Sequence, residues 1–108
     1  MQSLAAIADP TRRRIVELLA RRERTTGEIV AEFHLSAPAI SQHLNVLREA
    51  GLITTRIRGQ TRIQSLQGDG LDELARWLEH TRDAWSRRLD ALERELRADD
   101  ARKKSSPP

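Results

Sequence analysis

The sequence of 108 residues has no cysteine. That removes disulfides, thiolate metal sites and cysteine nucleophiles together. Aromatic residues are reduced to Phe33, Trp77 and Trp85, so a core must come from Leu, Ile, Val and Ala, which suits packed helices. No run approaches the roughly 18 apolar residues of a membrane span. Met1 to Ile7 has neither a basic stretch nor an apolar run long enough for a signal peptide. A cytoplasmic protein with no membrane partner is expected. There is no glycine-rich phosphate loop and no nucleophile–base set, and His34, His43 and His80 fall on separate elements, so no enzyme is expected. What remains is 38% apolar and 32% charged, enough for one domain with a modest core. A chain this small gains from burial in an oligomer.

Charge is unevenly spread. Residues 1–66 carry 10 Lys and Arg against 6 Asp and Glu, whereas residues 67–98 carry 6 against 8. A basic front and an acidic back suit a polyanion approached from one side, although solvated helix faces are charged in many proteins.

Punctuation residues divide the chain. A short helix over about Gln2 to Ala8 precedes Asp9-Pro10, where Asp can cap and Pro fits the first helical position. Ile15, Leu18 and Leu19 then share a face. Thr25 and Glu28 have capping-box spacing, with Ile29, Val30 and Phe33 on the buried side. Ser36 can cap the next helix, which carries Pro38 in its first turn and stops after Ala50 at Gly51, a left-handed position. Ile53, Thr55 and Ile57 then alternate with Thr54, Arg56 and Arg58, as in a half-exposed strand. Gly59-Gln60 fits a two-residue hairpin turn, and Thr61 to Leu66 returns as the partner strand. Gly68-Asp69-Gly70 reads as a break. Leu71 to Ala98 holds no Gly or Pro and reads as one helix of 28 residues, about 42 Å long. The expected fold is mainly α with a small β-hairpin: four helices, the hairpin, and a long last helix. Residues 1–98 form the domain, and 99–108, ending Lys103-Lys104-Ser105-Ser106-Pro107-Pro108, is expected as a disordered tail.

The short third helix, turn and fourth helix make a helix-turn-helix, and the hairpin after it is a wing. On the fourth helix Ile40, Leu44 and Leu47 fall together at 100° per residue. Opposite lie Pro38, Ser41, Gln42 and Asn45, with Arg48 and Glu49 at the edges. Gln and Asn can bond adenine in a bidentate way, Ser can donate or accept, and Ala37 and Pro38 can meet thymine methyls. An ordinary amphipathic helix also has a polar outer face. The wing separates the two readings: Arg56, Arg58 and Arg62 gather around Gly59 with Gln60 at the tip. Mutually repelling arginines beside a tight turn suit a phosphate backbone or a narrow minor groove, the competing explanation being protection of a strand edge. His43 lies between the core face and the outer face, where it suits a hydrogen bond within the helix-turn-helix or to phosphate.

Two stretches resemble the ArsR/SmtB family of bacterial winged-helix repressors: Leu4-Ala5-Ala6-Ile7-Ala8-Asp9-Pro10-Thr11-Arg12-Arg13-Arg14-Ile15, and Ser36-Ala37-Pro38-Ala39-Ile40-Ser41-Gln42-His43-Leu44-Asn45-Val46-Leu47-Arg48-Glu49-Ala50-Gly51-Leu52-Ile53. The likeness runs from about residue 3 to residue 96. It implies a homodimeric transcriptional repressor on a palindromic operator of double-stranded DNA, released by a bound signal. Ala37, Pro38, Ser41 and Gln42 match the positions by which relatives touch bases. Arg12, Arg13 and Arg14 suit either phosphate contacts or helix formation. A winged-helix adaptor for protein–protein contact, without an operator, is the alternative.

On the last helix Leu71, Leu74, Ala75, Leu78, Trp85, Leu89, Leu92 and Leu96 fall in a stripe about 100° wide. A stripe this long outruns what so small a domain can cover, and a two-fold copy is the economical partner. The resemblance places the first helix in the same interface, with Leu4 and Ile7. Arg82 interrupts the stripe, where it can snorkel, pair with Glu79 or Asp83 of either subunit, or hold an anion. Trp77 and Ala84, on a neighbouring face, are expected to pack on the winged-helix body. Many relatives sense metals through cysteines on the third helix or Asp, His and Glu sets on the last. Here neither helix has a thiol and His80 stands alone, so no metal cofactor is expected and thiol redox sensing is excluded. An unidentified small-molecule effector held near Trp77, Trp85 and Arg82 stays open.

Overall fold

A computed structural model describes residues 1–104. The chain runs α1 (Gln2–Ala8), α2 (Pro10–Arg21), β1 (Arg24–Thr25), α3 (Thr26–Ala31), α4 (Ala37–Glu49), β2 (Ile53–Arg58), β3 (Thr61–Leu66) and α5 (Gly68–Lys104). It divides into two compact units, one ending at Leu74 and the other beginning at Ala75.

In the first unit each junction has a chemical cause. Asp9 accepts the Arg12 amide at 3.0 Å and starts α2 with Pro10 at its head. The carbonyls left open at the end of α1 are taken by arginine side chains from α2. Arg12 Nε donates to Ala6 O at 2.7 Å and Nη2 to Ala5 O at 3.5 Å, and Arg13 Nη1 donates to Ile7 O at 3.4 Å. Arg14 pairs with Glu17. Each arginine of the Arg12–Arg14 run thus has a partner within the first unit. Thr25 and Glu28 form the expected capping box, and Ser36 Oγ accepts the Ala39 amide at 3.2 Å to start α4. α4 ends in a Schellman turn: Gly51 N donates to Arg48 O and Leu52 N to Leu47 O, both at 3.0 Å, with Gly51 at φ 72°. Ile15, Leu19, Ile29, Ile40, Leu44, Leu47, Leu52 and Ile53 form the core.

The sheet is three-stranded and antiparallel, in the order β1-β3-β2. The hairpin turn at Gly59, φ 64°, is as expected. β1 is an addition to the sequence reading: its two residues, opposite Gln64 and Ile63, are too few to show an alternation. The alternation in β2 fails toward the turn, where Ile57 is 70% exposed, because the core reaches only the Ile53 end.

Two boundaries of the last helix are corrected. It starts at Gly68 rather than Leu71, because Gly68-Asp69-Gly70 is its first turn, not a break. Gly70 N donates to Gly51 O at 2.8 Å, and a Cβ on Gly70 would lie 2.6 Å from Ala50 O. Glycine is needed there for close approach. The helix also continues past Ala98 to Lys104, where Asp99 pairs with Arg102 and Lys103 at helical spacing. Of the tail expected over 99–108, residues 105–108 lie outside the described residues. The second unit, as described, is a single helix with no other element against which to bury a face. Trp77 and Ala84 are accordingly exposed, which corrects the expectation that they are packed.

Candidate nucleic-acid interface

α4 carries its apolar residues Ile40, Leu44 and Leu47 inward. Ala37, Pro38, Ser41, Gln42 and Asn45 are all exposed on it. Its start is fixed by the Ser36 cap and its end by the Gly51 turn, so the polar face is held at both ends. His43 is half-buried and turned toward α2. Its Nδ1 lies 3.4 Å from Arg12 Nη1 and 4.0 Å from Asp9 Oδ2. The carboxyl of Asp9 is held below its usual range, chiefly by the Arg12 amide and also by the Arg12 guanidinium. These neighbours lie on α2 and its cap, outside the helix-turn-helix in which the sequence reading placed one candidate partner of His43.

Arg48 is not a free cation at the edge of α4. Its Nε and Nη2 donate to Thr55 Oγ1 at 3.0 and 2.7 Å, and its Nη1 donates to Asn45 Oδ1 at 2.7 Å. Thr55 passes its own proton to Gln64 Oε1 at 2.6 Å, and Gln64 Nε2 donates to Thr26 Oγ1 at 3.1 Å. Gln64 is buried to 1% exposure. A chain of side-chain bonds thus ties α4 to the wing and the wing to α3. Sequence reading gave Thr26, Thr55 and Gln64 no role, because the bonds that join them run between elements separated along the chain.

Strand register sorts the wing arginines. Ile57 pairs with Arg62, Thr55 with Gln64 and Arg58 with Thr61. Directly opposed residues share a face and successive ones alternate. Arg62 therefore shares the face of Thr55 and Gln64, which bond toward α4 and α3, whereas Arg56 and Arg58 lie on the other. An open groove of about 530 Å³ runs between the start of α3, Ser41 of α4, and Gln60, Thr61 and Arg62 of the wing. Arg56 is engaged by Glu23, just before β1, through two bonds of 2.7 Å. That pair, with Ser65, holds the Glu23 carboxyl below its usual range. The picture of three mutually repelling cations is therefore corrected: Arg56 has a structural partner. Arg58 and Arg62 have no ion pair among the described residues.

The residues expected in a dimer contact separate into two groups. Ile7, Leu71 and Leu74 are half-buried against the first unit's own core. Leu4 is exposed at the edge of α1. In the second unit Leu78, Trp85, Leu89, Leu92 and Leu96 are between 45% and 61% exposed. Arg82 forms no ion pair within the chain among the described residues. Among those residues no group of three or more His, Asp or Glu could hold a metal ion, and no helix is long and apolar enough to cross a membrane.

Comparison with known proteins agrees with this geometry. Residues 9–55 match the model for bacterial regulatory proteins of the arsR family. The chain is 41% identical over 73 residues to the transcriptional repressor SdpR of Bacillus subtilis, covering 68% of this chain and 81% of that protein. It is 42% identical over 84 residues to the HTH-type transcriptional regulator Rv2034 of Mycobacterium tuberculosis, covering 78% and 76%. A crystal structure described as a possible transcriptional regulator for arsenical resistance superposes with a TM-score of 0.71 at 41% identity, over 88% of this chain and 96% of that one. An ArsR family transcriptional regulator designated RHA00566 gives 0.73 at 27% identity, over 79% and 88%. The sequence motifs, the capped fourth helix with its wing and these likenesses agree: the chain belongs to the arsR family of bacterial regulatory proteins, winged helix-turn-helix DNA-binding regulators of transcription rather than enzymes.

Proposed function

We propose that the chain is a homodimeric repressor that lays one α4 from each copy into successive major grooves of a palindromic operator. The observation that carries this is the exposed polar face of α4 lying beside a wing whose Arg58 and Arg62 form no ion pair among the described residues. Ala37, Pro38, Ser41 and Gln42 meet base edges, and Arg58, Gln60 and Arg62 meet the backbone or the minor groove. The second copy covers the exposed apolar stripe of α5, together with Leu4 and the edge of Ile7 on α1. Recognition helices then stand about one helical turn apart on the duplex. Repression follows from occupancy of the promoter, as the name of the Bacillus relative supports. The lack of cysteine and the solitary His80 support a signal other than a thiol-bound metal, and an organic effector fits that departure.

The test is a gel shift on the DNA upstream of the protein's own gene, paired with sedimentation. A salt-sensitive complex of one dimer per inverted repeat is expected. Leu92→Asp should give a folded monomer that has lost the complex. A lone protomer at working concentration, or no enrichment in a random-site selection, would refute the reading, and the second result would favour a protein-binding adaptor.

A further inference from the structure

Sequence alone offers Asn45 as a bidentate reader of adenine, using its carbonyl as acceptor and its amide as donor. The structure alters that expectation. Asn45 Oδ1 receives Arg48 Nη1 at 2.7 Å. A guanidinium has five donors and no acceptor, so the amide facing it must present oxygen and not nitrogen. The orientation is not reversible by a simple flip. Arg48 is itself fixed, because Thr55 accepts two of its N–H groups and donates onward to Gln64, whose Nε2 is committed to Thr26. With a pure donor at one end, every proton in the chain has one direction. Asn45 Nδ2 has no hydrogen-bond partner among the described residues, and Asn45 is exposed.

We propose that Arg48 sets base preference at second hand: it holds the acceptor of Asn45 and leaves α4 offering a donor at that position. In the major groove guanine presents two acceptors, N7 and O6, whereas adenine presents an acceptor beside a donor. A side chain reduced to donating gains most from guanine and loses its reason to prefer adenine. Arg48 is thus a positioning residue that acts through Asn45. Its N–H donors are engaged by Thr55 and Asn45 within the chain. This inference depends on the DNA-reading role proposed above and adds a specific base class to it.

The experiment is random-site selection with the full-length wild type, Asn45→Ala and Arg48→Met, followed by affinity measurement on the selected duplexes. The position whose preference Asn45→Ala flattens identifies the base that Asn45 reads. Wild type should carry guanine there, and Arg48→Met should move the preference toward adenine. Replacing that guanine by 7-deazaguanine should weaken wild type about fivefold to tenfold and leave Asn45→Ala nearly unaffected, a readout that needs no Arg48 variant to fold. A purely structural Arg48 would lower melting temperature and affinity for all sites alike without moving the preferred base. Adenine at that position in wild type, an unchanged preference in folded Arg48→Met, indifference to 7-deazaguanine, or no position flattened by Asn45→Ala would each overturn the inference. Absence of any selected sequence with wild type would instead overturn the operator reading itself.

Discussion

Gly70→Ala should destabilise the protein even though it replaces glycine by the best helix former. In an open helical position that exchange gains up to about 1 kcal/mol. At Gly70 the new Cβ would lie 2.6 Å from Ala50 O, 2.8 Å from Gly51 O and 2.9 Å from Gly51 C. The first of these is about 0.8 Å short of the 3.4 Å at which ordinary contact begins. All three atoms are backbone in the Schellman turn that ends α4, so no side chain can rotate away. Relieving the overlap costs about 1–3 kcal/mol in overpacking and about 0.5–1.5 kcal/mol if the Gly70 N–H···O=C Gly51 bond is lost. The loss outweighs the gain by about 1–3 kcal/mol, or roughly 5–20 °C in melting temperature for a domain of this size. Gly68→Ala is the matched control, since its Cβ would meet only Asp72 Oδ2 at 3.7 Å; it should be neutral or slightly stabilising. Circular dichroism melts of both variants at one protein concentration check the pair. If Gly70→Ala melted at or above Gly68→Ala, the close approach of α5 to the end of α4 would be refuted.

Other outcomes follow from the same geometry. Arg58→Ala should weaken binding to all DNA sequences and lower the slope of log affinity against log salt by about one; Arg56→Ala, already bound to Glu23, should change that slope less. Gln42→Ala should relax sequence preference by about 1–3 kcal/mol at one base pair, measured by competition between site variants. Asp9→Ala should cost about 1 kcal/mol at neutral pH through the lost helix cap. The folded carboxyl of Asp9 titrates below its usual 3.8, so its contribution is complete above that value and disappears as pH falls through the lower folded one. Denaturant melts of wild type and variant should therefore converge in acid and stay apart at pH 7.

The parts of the fold legible in the sequence are those written in local chemistry. Asp9-Pro10, Thr25 with Glu28, Ser36, Gly51 and Gly59 each act on their own few residues, and each sits where its chemistry requires. The parts that were not legible depend on partners far along the chain. Arg56 looked like one of three free cations because Glu23, 33 residues away, becomes its neighbour only once β1 joins the sheet. Gly68-Asp69-Gly70 looked like a break because composition cannot distinguish a glycine that bends the chain from one that admits another backbone. On α4 the wheel assigned the exposed face correctly, but a wheel carries no proton directions and could not show that Arg48 donates to the Asn45 carbonyl.

The short strand β1 gives the wing unequal stiffness along its length. Ile63 and Gln64 are flanked on both sides, by β1 and β2, whereas Thr61 and Arg62 have only β2 beside them. Amide exchange should therefore be slow at 63 and 64 and faster toward the tip. On the proposed reading Arg58, Gln60 and Arg62 ride on the singly paired part of the hairpin, so the tip is expected to adjust to groove width from one site to the next while the doubly paired root of the sheet stays fixed.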